Sequence, residues 1–270
     1  MMFSLLMSVY QQDDANYLQQ ALKSVETNTV KPNDIILVCD GKLTAELDAV
    51  IEDNAKKLPL NVIRLTQSLG LGRALQTGIE QCKYEWVARF DADDICVPDR
   101  FAKQVALISQ NSDVDVIGGQ IIEFNKHLEG KSTVKKRVPL EHKNIAKYAK
   151  SRNPMNHMTV MFKKSAVIEA GNYQHAPLYE DYDLWVRMLI KRFRFANIDE
   201  VLVYARAGDK MYQRRGGLSY AKQETIMQYN FYKLGFLSRL QLIKNLTVRI
   251  PIRLIPSSIR GVVYSKILRQ

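Results

Sequence analysis

"EWVARFDADDICVPDR", residues 85–100, is an apolar run that ends abruptly in Asp91, Asp93 and Asp94. The run reads as a buried strand, and carboxylates packed this closely repel one another. Upstream, the same strand-to-turn transition recurs. "FSLLMSV" (3–9) is a strand, "DIILVCD" (34–40) is a second that ends in Asp40-Gly41, and "NVIRLT" (61–66) is a third. Between them lie helix-period stretches. "DDANYLQQALKSVETNT" places Leu18, Leu22 and Val25 on one face, with Asp13 or Asp14 as its cap. A second runs through Leu47 and Ile51, and "SLGLGRALQTGIEQC" follows a glycine-bearing turn. Four strand–helix alternations in about 100 residues predict an α/β fold on a mostly parallel, Rossmann-like central sheet. In such sheets ligands bind beyond the carboxyl ends of the strands. Val9-Tyr10, Asp40 and Asp91-Ala92-Asp93 are therefore expected to line one crevice.

Downstream the alternation fades. "QIIEFN" (120–125), "HMTVMFKK" (157–164) and "VLVYA" (201–205) read as strands, and "YEDYDLWVRMLIKR" (179–192) as a helix. Residues 126–150 have no clear period and read as a loop followed by a helix. From Leu218 the chain reads as helical, interrupted by Pro251 and Pro256. The 270 residues suffice for one large domain, or a domain with a C-terminal appendage. Cys39, Cys82 and Cys96 are odd in number and widely spaced, which favours neither a disulfide framework nor a zinc site and suits a reducing compartment. "MMFSLLMSVY" lacks a basic leader and a cleavage site, and reads as the first strand. No run reaches the roughly 18 apolar residues of a membrane-spanning helix.

The acidic triplet suits a hard divalent cation, Mn²⁺ or Mg²⁺, which offsets the repulsion and binds the oxygens of a diphosphate. An EF-hand loop starting at Asp91 would need Gly and Glu where Cys96 and Ala102 stand. A phosphatase with an Asp nucleophile would carry its Asp-X-Asp after the first strand. The remaining alternative is structural: Asp93 or Asp94 capping a helix that Pro98 opens.

"LLMSVY", "ILVCDG", "GLGRALQTGI", "ARFDADDICVPDRF" and "YEDYDLWVRM" together resemble, in order and spacing, the family 2 glycosyltransferases, most of all bacterial members that build O-antigen, capsule and exopolysaccharide repeat units. The resemblance runs from about residue 3 to about 216. It implies a nucleotide-diphospho-sugar transferase fold of the glycosyltransferase A type. It also implies an inverting, metal-dependent transfer from a nucleotide sugar. Val9 and Tyr10 would line the base pocket through their backbone, and Asp40 would contact the base. Asp91 would face the ribose or the metal, and Asp93 would be the principal metal ligand. Asp181 would be the catalytic base, with Glu180 or Asp183 able to tune or replace it; a carboxylate favoured by a helix N-terminus is the alternative for Asp181. Arg214 and Arg215 suit the leaving diphosphate, or form a solvated basic loop. His157 and Asp94 fall on the acceptor side, although His157 also fits a satisfied, partly buried histidine. Trp185 reads as helix core before it reads as a sugar platform. Ser68 and Gln76 stand where relatives often carry Asn, and Met158 where they often carry Pro. The Gln-X-X-Arg-Trp signature of processive enzymes is absent, which points to a single addition.

Charge is distributed unevenly. Lys and Arg number 39 against 28 Asp and Glu, a formal net charge of +11. From Thr225 to the end there is no acid, while eight Lys and Arg sit among Leu, Ile and Val. In residues 236–250, Phe236, Leu240, Ile243 and Ile250 fall near one face, as in helices that lie on anionic membranes; ordinary core helices with solvated charges are the alternative. No helix-turn-helix, RNP-like block or zinc finger supports nucleic acid as partner. The expected organisation is a catalytic region over 1–217, with a nucleotide-sugar half (1–118) and an acceptor half (119–217), followed by a basic helical membrane-associating region (218–270). The expected reaction moves a hexose, glucose or galactose, from a UDP-sugar to a polyprenyl-diphosphate-linked sugar at the cytoplasmic side of the inner membrane. A nucleotidyltransferase is the second enzyme reading, although "SVYQQDDANY" lacks its Gly-rich basic loop. A non-catalytic carbohydrate-binding or scaffold protein is the third.

Overall fold

The computed structural model describes residues 1–125, 134–207 and 216–255. Strands β1 (Phe3–Val9), β2 (Asp34–Cys39), β3 (Leu60–Arg64) and β4 (Trp86–Arg89) alternate with helices α1 (Ala15–Glu26), α2 (Ala45–Ala55) and α3 (Leu71–Gln81). All three pairings among these strands are parallel, in the order β3-β2-β1-β4. The chain continues through β5 (Ile95–Cys96), α4 (Arg100–Gln110), β6 (Val116–Phe124), β7 (Val134–Lys136), α5 (His142–Tyr148), β8 (Met161–Lys163), α6 (Lys164–Glu169), α7 (Glu180–Ile190) and β9 (Phe195–Arg206). β8 joins antiparallel to β4 and to β6, β9 runs parallel to β6, and the short β5 closes on β9. One mixed sheet results, with β7 on the edge beside β6.

Buried apolar side chains fill both faces of the sheet. One layer gathers α1, α2 and α4 around Phe3, Leu37 and Phe101. The other gathers α3, α6 and α7 around Leu6, Phe162 and Trp185. Trp185 is fully buried against Phe162 and Phe195, so it belongs to the core. Of the two candidate caps, Asp14 caps α1 by accepting from the Asn16 and Tyr17 amides. Asp13 instead accepts from the Tyr10 amide at 3.0 Å, which frees it to serve the strand end.

Two local expectations are corrected. Residues 157–164 are not one strand: His157–Thr159 form a 3₁₀ turn, β8 occupies 161–163 and α6 begins at Lys164. The Thr159 hydroxyl donates to the Asn156 carbonyl at 2.7 Å and accepts from the Gly119 amide at 3.0 Å, and side-chain bonds of this kind compete with a ladder. Pro251 does not interrupt the C-terminal helix. After α8 (Leu218–Lys233), α9 runs from Arg239 to Leu254 with Pro251 inside it, on an exposed position where water can satisfy the carbonyl one turn back.

α8 packs on the start of α7 through Tyr179, Tyr182, Val186, Met227 and Phe231, and α9 packs on α8. Their internal contact is polar. Glu224, fully buried on α8, receives Arg249 and Arg253 of α9 and the Tyr179 hydroxyl. Burial alone would raise this carboxyl, but the two guanidiniums hold it below the usual range. Glu224→Ala should destabilise the fold by about 3 kcal/mol, because it strands two guanidiniums with little solvent. Urea denaturation of the variant against wild type measures it.

Candidate active site

The crevice lies at the carboxyl ends of β1, β2 and β4, where the parallel part of the sheet opens. Carboxylate oxygens of Asp91, Asp93 and Asp94 lie within 4.8 Å of one another. None of the three caps a helix: β5 follows directly, and α4 starts only after Asp99, which removes the structural alternative. Arginines answer the repulsion instead. Arg89, 2% exposed at the end of β4, forms an ion pair with Asp91. Its Nε and Nη1 have no hydrogen-bond partner among the described residues. Arg206, at the end of β9, donates its amide to Asp94 at 2.7 Å and its Nε to the Asp93 carbonyl at 3.0 Å. Its guanidinium stacks on Tyr17 and Phe124. Arg100, fully buried on α4, donates to the Arg89 carbonyl at 2.7 Å and so fixes the strand end itself.

The compensation is incomplete. Burial first, and then the charge of Asp91, push Asp93 up to about 6. Burial and both neighbours push Asp94 well above the ordinary carboxylate value. Asp13 joins as a fourth acid: burial, with the charges of Asp93 and Asp91, raises it to about 7 against the Tyr10 amide. The donor set is all oxygen and short of positive charge, and the Asp94 Oδ2 is buried without a partner. These features fit a hard divalent cation. Asp94 itself is 2% exposed and accepts from the Arg206 amide, so it is tied to the end of β9.

Asp40 accepts from the Ser68 hydroxyl and from the Leu69 and Gly70 amides at 2.7–3.0 Å. It therefore holds the loop that leads into α3. Gly41 permits this approach, since a Cβ there would stand 2.8 Å from the Ser68 nitrogen. The backbone groups of Val9 and Tyr10 are engaged locally: the Val9 carbonyl accepts from the Asp40 amide, and the amide and carbonyl of Tyr10 both bond Asp13.

Glu180 and Asp181 open α7 but have different surroundings. Glu180 borders a small cleft, about 90 Å³, with Gly70, Gly72, Arg73 and the segment 174–177. A Cβ on Gly72 would lie 2.8 Å from the Glu180 Cγ, so glycine admits this contact. Asp181 accepts from the Asn153 Nδ2 at 2.5 Å and from the Tyr182 amide at 2.7 Å. Burial raises its carboxyl above the usual range, and these bonds partly oppose the rise. An oriented carboxylate of raised basicity is suited to accept a proton near neutral pH. Asp183 is committed elsewhere, to Arg187 at 2.9 Å. His157 bonds the Tyr173 hydroxyl at 2.6 Å, and burial, with the charge of Arg89, holds it neutral. Arg89 acts electrostatically on Asp91, Asp94, Asp181 and Tyr173, so one buried cation spans the triplet and the candidate base. Arg214 and Arg215 lie outside the described residues. Sequence reading missed Arg89, Arg206 and Asn153. Only an Arg at the end of an apolar strand and an Asn before Pro154 hinted at two of them.

The profile of glycosyl transferase family 2 matches residues 4–168. The chain is 39% identical over 268 residues to UDP-Gal:alpha-D-GlcNAc-diphosphoundecaprenol beta-1,3-galactosyltransferase of Escherichia coli, covering 99% of this chain and 97% of that one. It is 42% identical over 223 residues to the amylovoran biosynthesis glycosyltransferase AmsE of Erwinia amylovora, covering 83% of each. In fold it resembles S. aureus TarS 1–349 in complex with UDP-GlcNAc, with a TM-score of 0.69 and 17% identity over 98% of this chain and 73% of that one.

The raised acids give a pH signature. Asp13 and Asp93 bind protons more tightly folded than unfolded between the ordinary carboxylate value, 3.8, and about 6 to 7. Their ionisation therefore lowers stability as pH rises through that window. Asp93→Asn should be more stable than wild type by about 1 kcal/mol at neutral pH, with the gap closing near pH 4. Chemical denaturation at both pH values, without divalent cations, measures it.

Proposed function

The chain belongs to glycosyl transferase family 2, and from that premise we propose that it moves galactose from UDP-galactose to an N-acetylhexosamine carried on a polyprenyl diphosphate, with inversion. The protein is a glycosyltransferase. The donor, the acceptor and the metal are the proposal. The observation that carries it is the buried Arg89 charge, which acts on both the acidic triplet and Asp181. The end-to-end likeness to the E. coli galactosyltransferase supports the sugar and the lipid carrier. A β product from an α-linked nucleotide sugar requires attack from the opposite face, hence inversion.

In this reading Asp40 and the loop 68–70 shape the donor side, and Val9 and Tyr10 form its floor. Asn153 fixes Asp181 so that one carboxylate oxygen can meet the acceptor hydroxyl. That hydroxyl's oxygen bonds to the anomeric carbon as the bond to the diphosphate oxygen breaks; its proton passes to Asp181, and UDP leaves. Glu180, beside the cleft near α3, orients the donor sugar or the acceptor. A divalent cation, Mn²⁺ or Mg²⁺, held by Asp93 and Asp91, would neutralise the departing diphosphate. Arg214 and Arg215 are proposed to help at the same point. Holding the reactants in line supplies the remaining acceleration. Among the described residues no helix is long and apolar enough to cross a membrane. A lipid-linked acceptor then implies work at the membrane surface, proposed as the cytoplasmic face of the inner membrane.

Purified protein should transfer from UDP-galactose to a synthetic N-acetylglucosaminyl-diphospho-lipid far faster than from other UDP-sugars, and a chelator should suppress the rate. NMR of the product should show a β linkage; an α linkage, or no transfer from any UDP-sugar, overturns the reading. Asp181→Asn should lower kcat by about 10²–10⁴-fold while UDP affinity, read by calorimetry, stays near wild type.

A further inference from the structure

The α9 helix is built inside out. Its inward side carries Asn245, Arg249 and Arg253, which meet Gln228, the Lys150 carbonyl and Glu224. Its outward side carries Leu240 at 80% exposure, Ile243 at 50%, Val248 at 52% and Leu254 at 49%. At about 100° per residue these four, with Lys244, Thr247 and Pro251, fall in an arc of about 140°. A helix that packs on a soluble core shows the reverse arrangement. The neighbouring α8 adds exposed Ile226, Tyr229 and Tyr232. Nine of the nineteen large hydrophobics exposed among the described residues fall between Leu218 and Leu254.

We infer that the outward face of α9 is the surface by which the enzyme seats on an anionic lipid bilayer, its aliphatic stripe entering the boundary between headgroups and acyl chains. This deepens the membrane part of the proposed function and rests on it. Charge selects the occupant. Glu224 is the last acid of the chain, and it is buried and neutralised by α9 itself. The charged residues of 225–255 are then basic only, with Lys233, Arg239 and Lys244 beside the inward Arg249 and Arg253. A second copy would bring like charges together, whereas acidic headgroups complement them. The geometry also divides the basic residues of the tail. Arg249 and Arg253 serve the fold and are not available to lipid, so attraction falls to fewer residues and insertion to the stripe.

The test compares wild type with the triple variant L240Q/I243Q/V248Q, which keeps net charge and touches no residue of the crevice. Co-sedimentation with phosphatidylcholine vesicles, with and without phosphatidylglycerol, reads binding. Wild type should bind only the anionic vesicles and release in high salt, and the triple variant should bind at least about tenfold more weakly, with an unchanged Tm. The doubly substituted R239Q/K244Q protein should weaken binding and flatten its salt dependence. Transfer to a short-chain, detergent-dispersed acceptor should be equal in wild type and triple variant, while transfer to a polyprenyl acceptor within vesicles should fall. Vesicle binding by the triple variant equal to wild type overturns the inference. So does a Tm lowered by several degrees, which would mean that the chain itself covers the stripe. So does a wild-type dimer that the triple variant dissociates, which would mean that a second copy covers it. Failure of wild type to use the detergent-dispersed lipid acceptor is a separate result, and it would sink the acceptor reading instead.

Discussion

The site depends on a shortage of positive charge. Asp91, Asp93 and Asp94 are held together by Arg89 from β4 and Arg206 from β9, with Arg100 anchoring the strand end from behind. Two guanidiniums beside three carboxylates, with Asp13 as a fourth, leave the cluster under-neutralised. Buried like charges of this kind destabilise the fold and favour whatever cation completes them. The arginines reach the cluster from two parts of the sheet that are far apart in sequence. The packing of β9 beside β6 and β5 is therefore part of the site as much as the β1–β4 crevice is.

This explains which features could be read in the sequence. β1 to β4 and their helices were legible because parallel strands buried on both faces appear as continuous apolar runs, and their ends name the crevice. Asp40, Asp91 and Asp93 follow from position alone. Arg89 and Arg206 were not legible, because a strand-end arginine looks the same whether it is solvated or turned inward. Their partners lie across the sheet, and no local period reports such a contact. Asp181 is named as candidate base through the resemblance, but the Asn153 that orients it sits 28 residues away on an irregular segment. The split of 157–164 into turn, strand and helix escaped for a related reason: a hydroxyl pairing of Thr159 with Asn156 and Gly119 overrode an apolar pattern that reads as strand.

The C-terminal pair shows the opposite failure. Its composition was read correctly as basic and aliphatic, yet the orientation of its charges was not. Three polar positions at intervals of four, Asn245, Arg249 and Arg253, look like a solvated stripe. They face inward because Glu224 and Gln228 on α8 present matching groups. A periodic pattern fixes which residues share a face; it does not decide which face is buried when both faces have suitors.

The two constraints meet at α7. Glu180 and Asp181 stand at its first turn, where the helix N-terminus favours negative charge, and Tyr179 and Tyr182 on the same turn anchor α8 and the Ala149 carbonyl. The Tyr179 hydroxyl donates to Glu224, the same carboxylate that turns α9 inside out. The candidate base and the outward apolar face are thus joined through one short run of side chains: Asp181, its helix neighbours Tyr179 and Tyr182, Glu224, and then Arg249 and Arg253. A rigid link of this kind fixes the position of the base relative to the face of α9. If the acceptor sugar is carried on a lipid, its distance from the membrane is set by the carrier's diphosphate. The enzyme must then hold its base at a matching height, and the packing of α9 on α8 and of α8 on α7 is the part of the fold that can do so.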